Sequence, residues 1–135
     1  MLSIIPSEVP QGVLHQYLLG CVSPRPIAFA STVDKDGNPN IAPYSFFNCF
    51  SSNPPILVFS SNRKGTDNTT KDTLHNVEAT GEVVINMVSH SIVQQMAVAS
   101  IAFPTGVSEF EKSGLTPIES DLVKPFRVKE SPAQL

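Results

Sequence analysis

Short segments of alternating or continuous apolar residues, separated by turn residues, run along most of this chain. In residues 26–33 larger side chains alternate with smaller ones, the two-residue period of a strand, and the larger set is Ile27, Phe29, Ser31 and Val33. Asp36-Gly37 follows as a hairpin signal. We therefore expect residues 40–48 to return as the antiparallel partner, which argues against a purely parallel sheet.

Three further segments predict strands. The continuous apolar run of residues 56–59 is bounded by turn residues and predicts a central strand buried on both faces. Residues 82–88 alternate again and predict another strand. Residues 126–130 resemble the beginning of a last one.

Four segments have helical features. Residues 11–19 predict one or two turns, with Leu14, Tyr17 and Leu18 expected to be buried. Residues 70–80 predict a helix that begins at an N-cap and stops at a glycine, the N-cap being Thr69 or Thr70 and the stop Gly81. Ser91 has capping-box spacing and opens a helix through about residue 99, and residues 108–113 predict one turn closed by Gly114. The order of elements predicts an antiparallel α+β fold or a small barrel with helical insertions.

Composition narrows the classes of protein to consider. The 135 residues are 41% hydrophobic and only 16% charged, with a formal net charge of -3. We expect a single domain over residues 1–135, part of whose surface is covered by another subunit, a large cofactor or a further part of the protein. The absence of a basic stripe argues against nucleic acid, and no apolar run approaches the ~20 residues of a membrane span. No secretory signal is present, so we expect a cytoplasmic protein.

Cysteine and histidine spacing gives no sign of a metal site. Cys21 and Cys49 lie far apart in the sequence, and we expect both to be buried apolar residues of a reducing compartment. The three histidines form no HxxxH or HExxH pattern.

A polar, cationic segment at residues 60–73 is the first candidate for chemistry. It carries Arg63, Lys64 and Lys71 among hydroxyl side chains, between a predicted strand end and a predicted helix start. Free backbone N–H groups and the helix dipole favour an anion in such a place, so the segment suits a phosphate. The alternative is a solvated loop whose hydroxyls only cap the helix. His75, in the following helix, is either an ordinary surface or core histidine or faces the same anion.

The aromatic segment at residues 40–55 is the second candidate. One interpretation is a strand that buries its aromatic side chains. The other is a wall for a flat aromatic ligand, in which Ser45 and Asn48 meet the polar edge and the small Ala42 lets the backbone approach closely. Arg25, fixed between two prolines, is a third candidate, or else an edge residue with a solvated charge.

Several separated motifs resemble, in order and spacing, the flavin reductase-like, FMN-binding split-barrel family. They are SPRPIAFASTVDKDGNPNIAPYSFFN at residues 23–48, SNPP at 52–55, KDTLHN at 71–76 and GEVVIN at 81–86. The resemblance implies a mainly β, antiparallel Greek-key split barrel with helical insertions, which binds FMN and works as a homodimer. It implies hydride transfer from NAD(P)H to the flavin, whose electrons then pass to a small-molecule acceptor.

The resemblance also implies roles for individual residues. Ser45 and Asn48 would meet the flavin ring edge, with Ala42 and Tyr44 giving mainly backbone contacts. The phosphate would lie on Arg63, Lys71 and Thr73, assisted by Ser61 or Lys64, and Arg25 is a further candidate. No residue is expected to act as an obligatory proton donor.

One departure from the family pattern concerns length. Family members usually continue past the strand that begins near residue 126, so we expect the C-terminal strands that close the barrel to be missing here. Two alternatives to an enzyme therefore stay open: a non-catalytic FMN-binding electron carrier, and a truncated fragment that no longer holds flavin.

Overall fold

The computed structural model describes residues 3–64, 67–104 and 106–135. Within these ranges the chain has four α-helices and seven strands. The helices are α1 (Gln11–Cys21), α2 (Asp72–Thr80), α3 (Val93–Ala99) and α4 (Glu109–Ser113). The strands are β1 (Ala28–Val33), β2 (Pro39–Tyr44), β3 (Phe47–Ser52), β4 (Pro55–Phe59), β5 (Val84–Met87), β6 (Pro117–Ile118) and β7 (Arg127–Val128). All strand pairs are antiparallel, which confirms the predicted antiparallel mixture of helices and sheets.

The central sheet has the order β2-β1-β5 and contains the predicted hairpin. Gly37 adopts φ 87° at the turn, a backbone conformation that glycine reaches without steric cost. The Asp34 carboxylate accepts hydrogen bonds from the backbone N–H groups of residues 36 and 38, both at 2.9 Å. All six residues of β1, the larger and the smaller side chains alike, are buried.

The end of the chain adds to this sheet along β5. The backbone groups of Ile85 and Leu135 exchange two hydrogen bonds of 2.9 Å, and the Met87 N–H donates to the Ala133 carbonyl at 2.9 Å. Asn86 anchors the same region from inside, because its side chain donates to the Phe29 carbonyl and accepts from the Val128 N–H.

The predicted return strand over residues 40–48 is in fact two strands in different sheets. β2 ends at Tyr44, and β3 leaves to pair only with β4 as a two-stranded ribbon, β3-β4. The prediction that residues 56–59 are buried on both faces is wrong: Ile56 and Val58 are 43% and 48% exposed. They lie on the outer face of the ribbon, while Leu57 packs inward against a cluster of buried residues. The ribbon has only two strands, and its outer face is not covered by the rest of the described chain.

Two helix starts and one helix face differ from the predictions. α2 begins one or two residues later than expected, with Lys71 at the N-cap and no side-chain cap, although Gly81 ends it in the left-handed conformation as predicted. Ser91 lies in a short 3₁₀ turn and its hydroxyl bonds Ser89 instead of capping α3. α1 buries none of its residues, so the expected burial of its apolar side chains is wrong for Leu14, Tyr17 and Leu18.

Two other findings concern surface chemistry. Both cysteines are free and exposed, because Cys21 ends α1 and Cys49 lies on the ribbon, so the expected burial is wrong. In the part of the chain that the structure describes, no helix is long and apolar enough to cross a membrane.

Candidate functional site

Two cavities meet at the loop that precedes α2. The first cavity has a volume of about 990 Å³ and lies between α1 and the polar loop; we call it the α1 cavity. Its lining residues are Gln11, Gly12, Leu14, His15, Leu18, Phe46, Ser61, Asn62, Arg63, Lys64, Asn68 and Lys71. The second, of about 600 Å³, lies against β2, and we call it the β2 cavity; its lining includes Asn40, Ala42, Tyr44, Lys64, Lys71, Thr73, Phe103 and Glu109. Of the residues that the structure describes, Lys64 and Lys71 alone line both, so two cationic side chains lie where the cavities adjoin.

The two lysines differ in their partners. Lys64 Nζ lies 3.6 Å from the Asp72 carboxylate. Among the described residues, no carboxylate lies within ion-pair distance of Lys71. Its Nζ instead lies over the Tyr44 ring, 4.9 Å from the ring centroid. Partial burial, together with the nearby Lys64 charge, lowers the Lys71 pKa. Lys71 is therefore an ammonium with no counter-ion in the part of the chain that the structure describes.

Two buried hydroxyls beside these lysines make no hydrogen bond. They are the hydroxyls of Tyr44 and Ser61. Tyr44 is 4% exposed, and burial raises its pKa, although the neighbouring Thr73 and Ser61 hydroxyls act in the opposite direction without reaching hydrogen-bond geometry. Buried polar atoms are nearly always paired, so the unpaired Ser61 hydroxyl, in the lining of the α1 cavity, indicates room there for a polar ligand.

The start of α2 adds backbone donors to this place. Among the described residues, no side chain caps the helix, so the backbone N–H groups of Asp72 and Thr73, which come too early in the helix to have a partner within it, are available to an anion. The helix dipole favours negative charge at the same end.

Thr73 is held by a buried hydrogen-bond network instead of facing freely into the β2 cavity. Its hydroxyl donates to Asn40 Oδ1 at 2.9 Å, and Asn40 Nδ2 donates to the Glu109 carboxylate at 3.2 Å. Asn76 closes the network by donating to the Thr32 hydroxyl at 3.0 Å. The network fixes α2 against β1 and β2, and with it the position of the helix N-terminus.

Glu109 brings a carboxylate to the edge of the β2 cavity. It is half-buried, and desolvation raises its pKa, although the hydrogen bond from Asn40 partly offsets this. A carboxyl group of this kind accepts hydrogen bonds when ionised and donates one when protonated.

Arg63 and Arg25 are both engaged with backbone carbonyls. Arg63 lines the α1 cavity and donates to the Asn68 carbonyl at 2.9 Å, which braces the polar loop. Arg25 donates to the Leu19 carbonyl at 2.6 Å and to that of Val22, at the end of α1. Its Nε also lies 3.4 Å from the Ser45 hydroxyl. Arg25 therefore fastens α1, one wall of the α1 cavity, to the start of the ribbon.

The structure divides the residues predicted from the sequence into four groups. Ser61 and Arg63 line the α1 cavity, Ala42, Tyr44 and Thr73 line the β2 cavity, Lys64 and Lys71 line both, and Arg25, Ser45 and Asn48 line neither. Asn48 is exposed on the outer face of the ribbon, where its side chain accepts from the N–H of the next residue. His75 is exposed, with its Nε2 2.5 Å from the Thr70 hydroxyl, and it lines neither cavity. The loop residues Gly65 and Thr66 lie outside the described residues.

Sequence reasoning missed two parts of the site. The wall formed by α1, with His15 edge-on to Phe46 at 5.7 Å, has no recognisable signature in the sequence. The contact between Asn40 and Glu109 joins residues 69 apart in the chain, and spacing cannot reveal such a pair.

The arrangement suits an elongated ligand with one anionic end. Cations, helix N–H groups and the unpaired Ser61 hydroxyl lie near the place where the cavities adjoin, and each cavity has a volume typical of a small-molecule site. Among the described residues, no group of three or more His, Cys, Asp or Glu side chains is placed to hold a metal ion.

Comparison with known proteins gives the family. An uncharacterised protein of Aquifex aeolicus (strain VF5) is 47% identical over 131 residues, which are 96% of this chain and 66% of that protein. The structure of nitrilotriacetate monooxygenase component B from Bacillus cereus is similar over 100% of this chain and 66% of its own, with 38% identity and a TM-score of 0.93. A Shewanella frigidimarina NCIMB 400 protein assigned as a flavin reductase with a split barrel domain matches over 95% of this chain and 62% of its own, with 25% identity and a TM-score of 0.79.

The match to the family model is nearly as long as the chain. The chain spans 62 to 66% of the length of the three relatives. Its fold is that of the flavin reductase-like split-barrel proteins. The model of the flavin reductase like domain covers residues 19–135. The chain therefore belongs to the flavin reductase-like domain family.

Proposed function

We propose that this chain binds FMN and acts as an oxidoreductase that transfers hydride from NAD(P)H to the flavin. The observation that carries the proposal is the ammonium of Lys71, which has no carboxylate partner among the described residues and stands where two cavities adjoin. A phosphate supplies the missing negative charge, and a flavin ring fills an adjoining cavity.

The phosphate end is assigned to the loop before α2. Lys64 and Lys71 provide point charges, and Arg63 provides a planar donor from the α1 cavity side. The Ser61 hydroxyl, buried without a partner, is a further donor. Thr73 contributes through the first turn of α2, since its hydroxyl already donates to Asn40.

The ring is assigned to the segment from Ala42 to Asn48. Ala42 and Tyr44 are expected to give backbone contacts, and Ser45 and Asn48 to meet the ring edge. Because neither Ser45 nor Asn48 lines a cavity in the single chain, their contact with the ring depends on the second copy proposed below. When bound, FMN supplies the hydride-accepting chemistry, and the protein's part is to bind, orient and partly shield the ring. The acceptor of the electrons is a small molecule.

A homodimer completes this proposal. The outer face of the ribbon exposes Phe50 at 68%, beside Ile56 and Val58, and no charged residue occurs between Asp36 and Arg63. An apolar, uncharged surface of this kind is typical of an interface. A second copy would cover Asn48 on the same face and bring it into a shared site. We further propose a cytoplasmic location, which suits the two free thiols.

The dimer is tested by placing a charge on the ribbon. Val58→Lys is expected to shift the chain from dimer to monomer in sedimentation analysis, because an unpaired charge would be buried in the interface. Lys35→Ala, at the exposed tip of the first hairpin, is the control. A wild-type monomer at tens of micromolar, or a V58K protein that stays dimeric, would contradict the proposed interface.

The enzyme is tested by anaerobic titration of the FMN-loaded protein. NADH or NADPH is expected to bleach the flavin absorbance in proportion to the nucleotide added. If FMN binds but neither nucleotide bleaches it, the chain is an electron carrier. If FMN neither binds nor raises the thermal stability, the chain is a fragment that holds no flavin.

The phosphate assignment is tested by comparing FMN with riboflavin. Arg63→Ala with Lys71→Ala is expected to weaken FMN about 30-fold or more, since charge-assisted hydrogen bonds are lost, while riboflavin changes little. The charge-matched control is Lys35→Ala with Lys112→Ala, two exposed lysines remote from both cavities. Equal losses for the two ligands would show that Arg63 and Lys71 do not bind the phosphate.

A further inference from the structure

We infer that Tyr44 is a positioning residue for Lys71: its buried aromatic ring holds the ammonium at the place where the two cavities adjoin. This inference rests on the proposed function, because it assigns Lys71 to the anionic end of the flavin. It gives the Tyr44 side chain a role beyond the backbone contacts expected from the sequence.

The ring has a fixed position. Tyr44 is the last residue of β2 and pairs with Ala28 across the central sheet. Its ring also packs against Phe59 of the ribbon, with centroids 5.1 Å apart. Because the residue is buried, the ring face that meets Lys71 cannot turn away without disturbing the core.

No ion pair with a described carboxylate fixes the position of the Lys71 ammonium. The charged group that shifts its pKa is the like charge of Lys64, and the Asp72 carboxylate is engaged with Lys64. Partial burial also disfavours the charged form. Without the ring, the four-carbon stem of Lys71 would be free to carry the ammonium out into water.

An aromatic ring holds a cation in a way that a carboxylate does not. The electron-rich face attracts the ammonium over distances up to about 6 Å, and the ring carries no net charge. The full positive charge therefore stays available to a phosphate. A carboxylate in the same place would neutralise Lys71 and weaken its attraction for an anion.

The Tyr44 hydroxyl can be separated from the ring by substitution. The hydroxyl makes no hydrogen bond to the protein, so Tyr44→Phe removes it without leaving a protein partner unpaired. Tyr44→Leu removes the ring but keeps an apolar side chain. The pair therefore distinguishes the effect of the ring face from that of the hydroxyl.

The first test measures FMN and riboflavin affinities for the wild type, Y44F and Y44L. The ratio of FMN to riboflavin affinity is expected to fall threefold to tenfold in Y44L and to stay within about twofold of wild type in Y44F. In a Lys71→Met background, Y44L should lower the ratio no further. The inference would be overturned if Y44L weakened FMN and riboflavin equally. It would also be overturned if Y44L lowered the affinity ratio as much in the K71M background as in the wild type.

The second test needs neither flavin nor a substituted Tyr44. The side-chain protons of Lys71, assigned in NMR spectra by comparison with Lys71→Arg, are expected to be shifted upfield by the ring current in the wild-type protein. Ordinary random-coil shifts would overturn the inference even if Y44L fails to fold. A wild type that binds FMN and riboflavin equally would instead refute the phosphate assignment, and the NMR shift would still decide whether Tyr44 positions Lys71.

Discussion

In two neighbouring hairpins of this chain, the strand that is buried and the strand that is exposed are the opposite of what their sequences suggest. β1 contains small and polar residues, yet all six of its residues are buried. β4 contains the most apolar run of the chain, yet Ile56 and Val58 are about half exposed. β1 has a strand on each side and α2 against one face, whereas β4 pairs only with β3. Burial of a strand thus depends on what covers it as much as on its composition.

The difference extends to the two sides of the candidate site. The β1–β2 side is held by buried hydrogen bonds that link Thr32, Asn40, Thr73 and Asn76. The ribbon side carries Asn48 on an exposed face, and α1, joined to it through Arg25 and Ser45, buries none of its residues. One side of the site is therefore fixed by contacts within the described chain, whereas the ribbon side depends on the second copy that we propose.

The largest expected contrast is between two asparagines, one in each region. Asn86→Ala should lower the free energy of unfolding by about 3 kcal/mol, because it leaves the Val128 N–H buried without its partner and removes the side-chain hydrogen bond to the Phe29 carbonyl. Asn48→Ala, on the exposed ribbon, should change it by less than about 0.5 kcal/mol. Urea denaturation of both variants at low protein concentration measures the difference, and equal losses would contradict the contrast.

A smaller effect is expected at Thr73. Thr73→Val removes the donor to Asn40 while keeping the shape of the side chain, so stability should fall by about 1 kcal/mol. Thr70→Val, which removes the hydrogen bond to His75 at a partly exposed position just before α2, is the control for losing a hydroxyl that water can replace. A variant of Thr73 that keeps its stability but loses its preference for FMN over riboflavin would place the hydroxyl on the phosphate instead.

The smallest effect is a dependence of stability on pH at Glu109. Burial raises its folded pKa above the ordinary 4.5, so the stability it contributes is complete below about pH 4.5 and is lost as pH rises through the folded pKa. Glu109→Gln should therefore gain stability relative to wild type between pH 4 and pH 7.

Glu130 provides a control of opposite sign. Slight burial acts to raise the pKa of the Glu130 carboxyl, but hydrogen bonds from Thr116 outweigh it and the pKa is lowered. Its stabilising contribution is present at neutral pH and is lost as pH falls, so Glu130→Gln should lose stability relative to wild type as pH rises. Parallel pH profiles for the two variants would contradict the assignment of Glu109 to a desolvated site.

Local signals in the sequence predicted the elements whose form depends on a few adjacent residues. The Asp36-Gly37 turn and the helix stops at Gly81 and Gly114 are confirmed, because each requires a backbone conformation that glycine supplies. The exposure of β4 and of Cys49 was not predictable in this way. It depends on which segments pack together, and no local pattern encodes that.

The candidate site shows the same difference between features set by adjacent residues and features set by packing of distant segments. Arg63, Lys64 and Lys71 were found because they are close in sequence and precede a helix. The α1 wall and the contact between Asn40 and Glu109 come from distant segments. Arg25, a further candidate from the sequence, donates to carbonyls at the end of α1, and its contact with the flavin stays a prediction.

The most direct test of the account is an experimental structure of this chain with FMN bound. We predict that the phosphate lies within hydrogen-bond distance of Lys71 Nζ and the first turn of α2, with the ring in one of the two cavities that adjoin there. A phosphate bound elsewhere, with Lys71 Nζ still over Tyr44 and no anion beside it, would contradict the central claim.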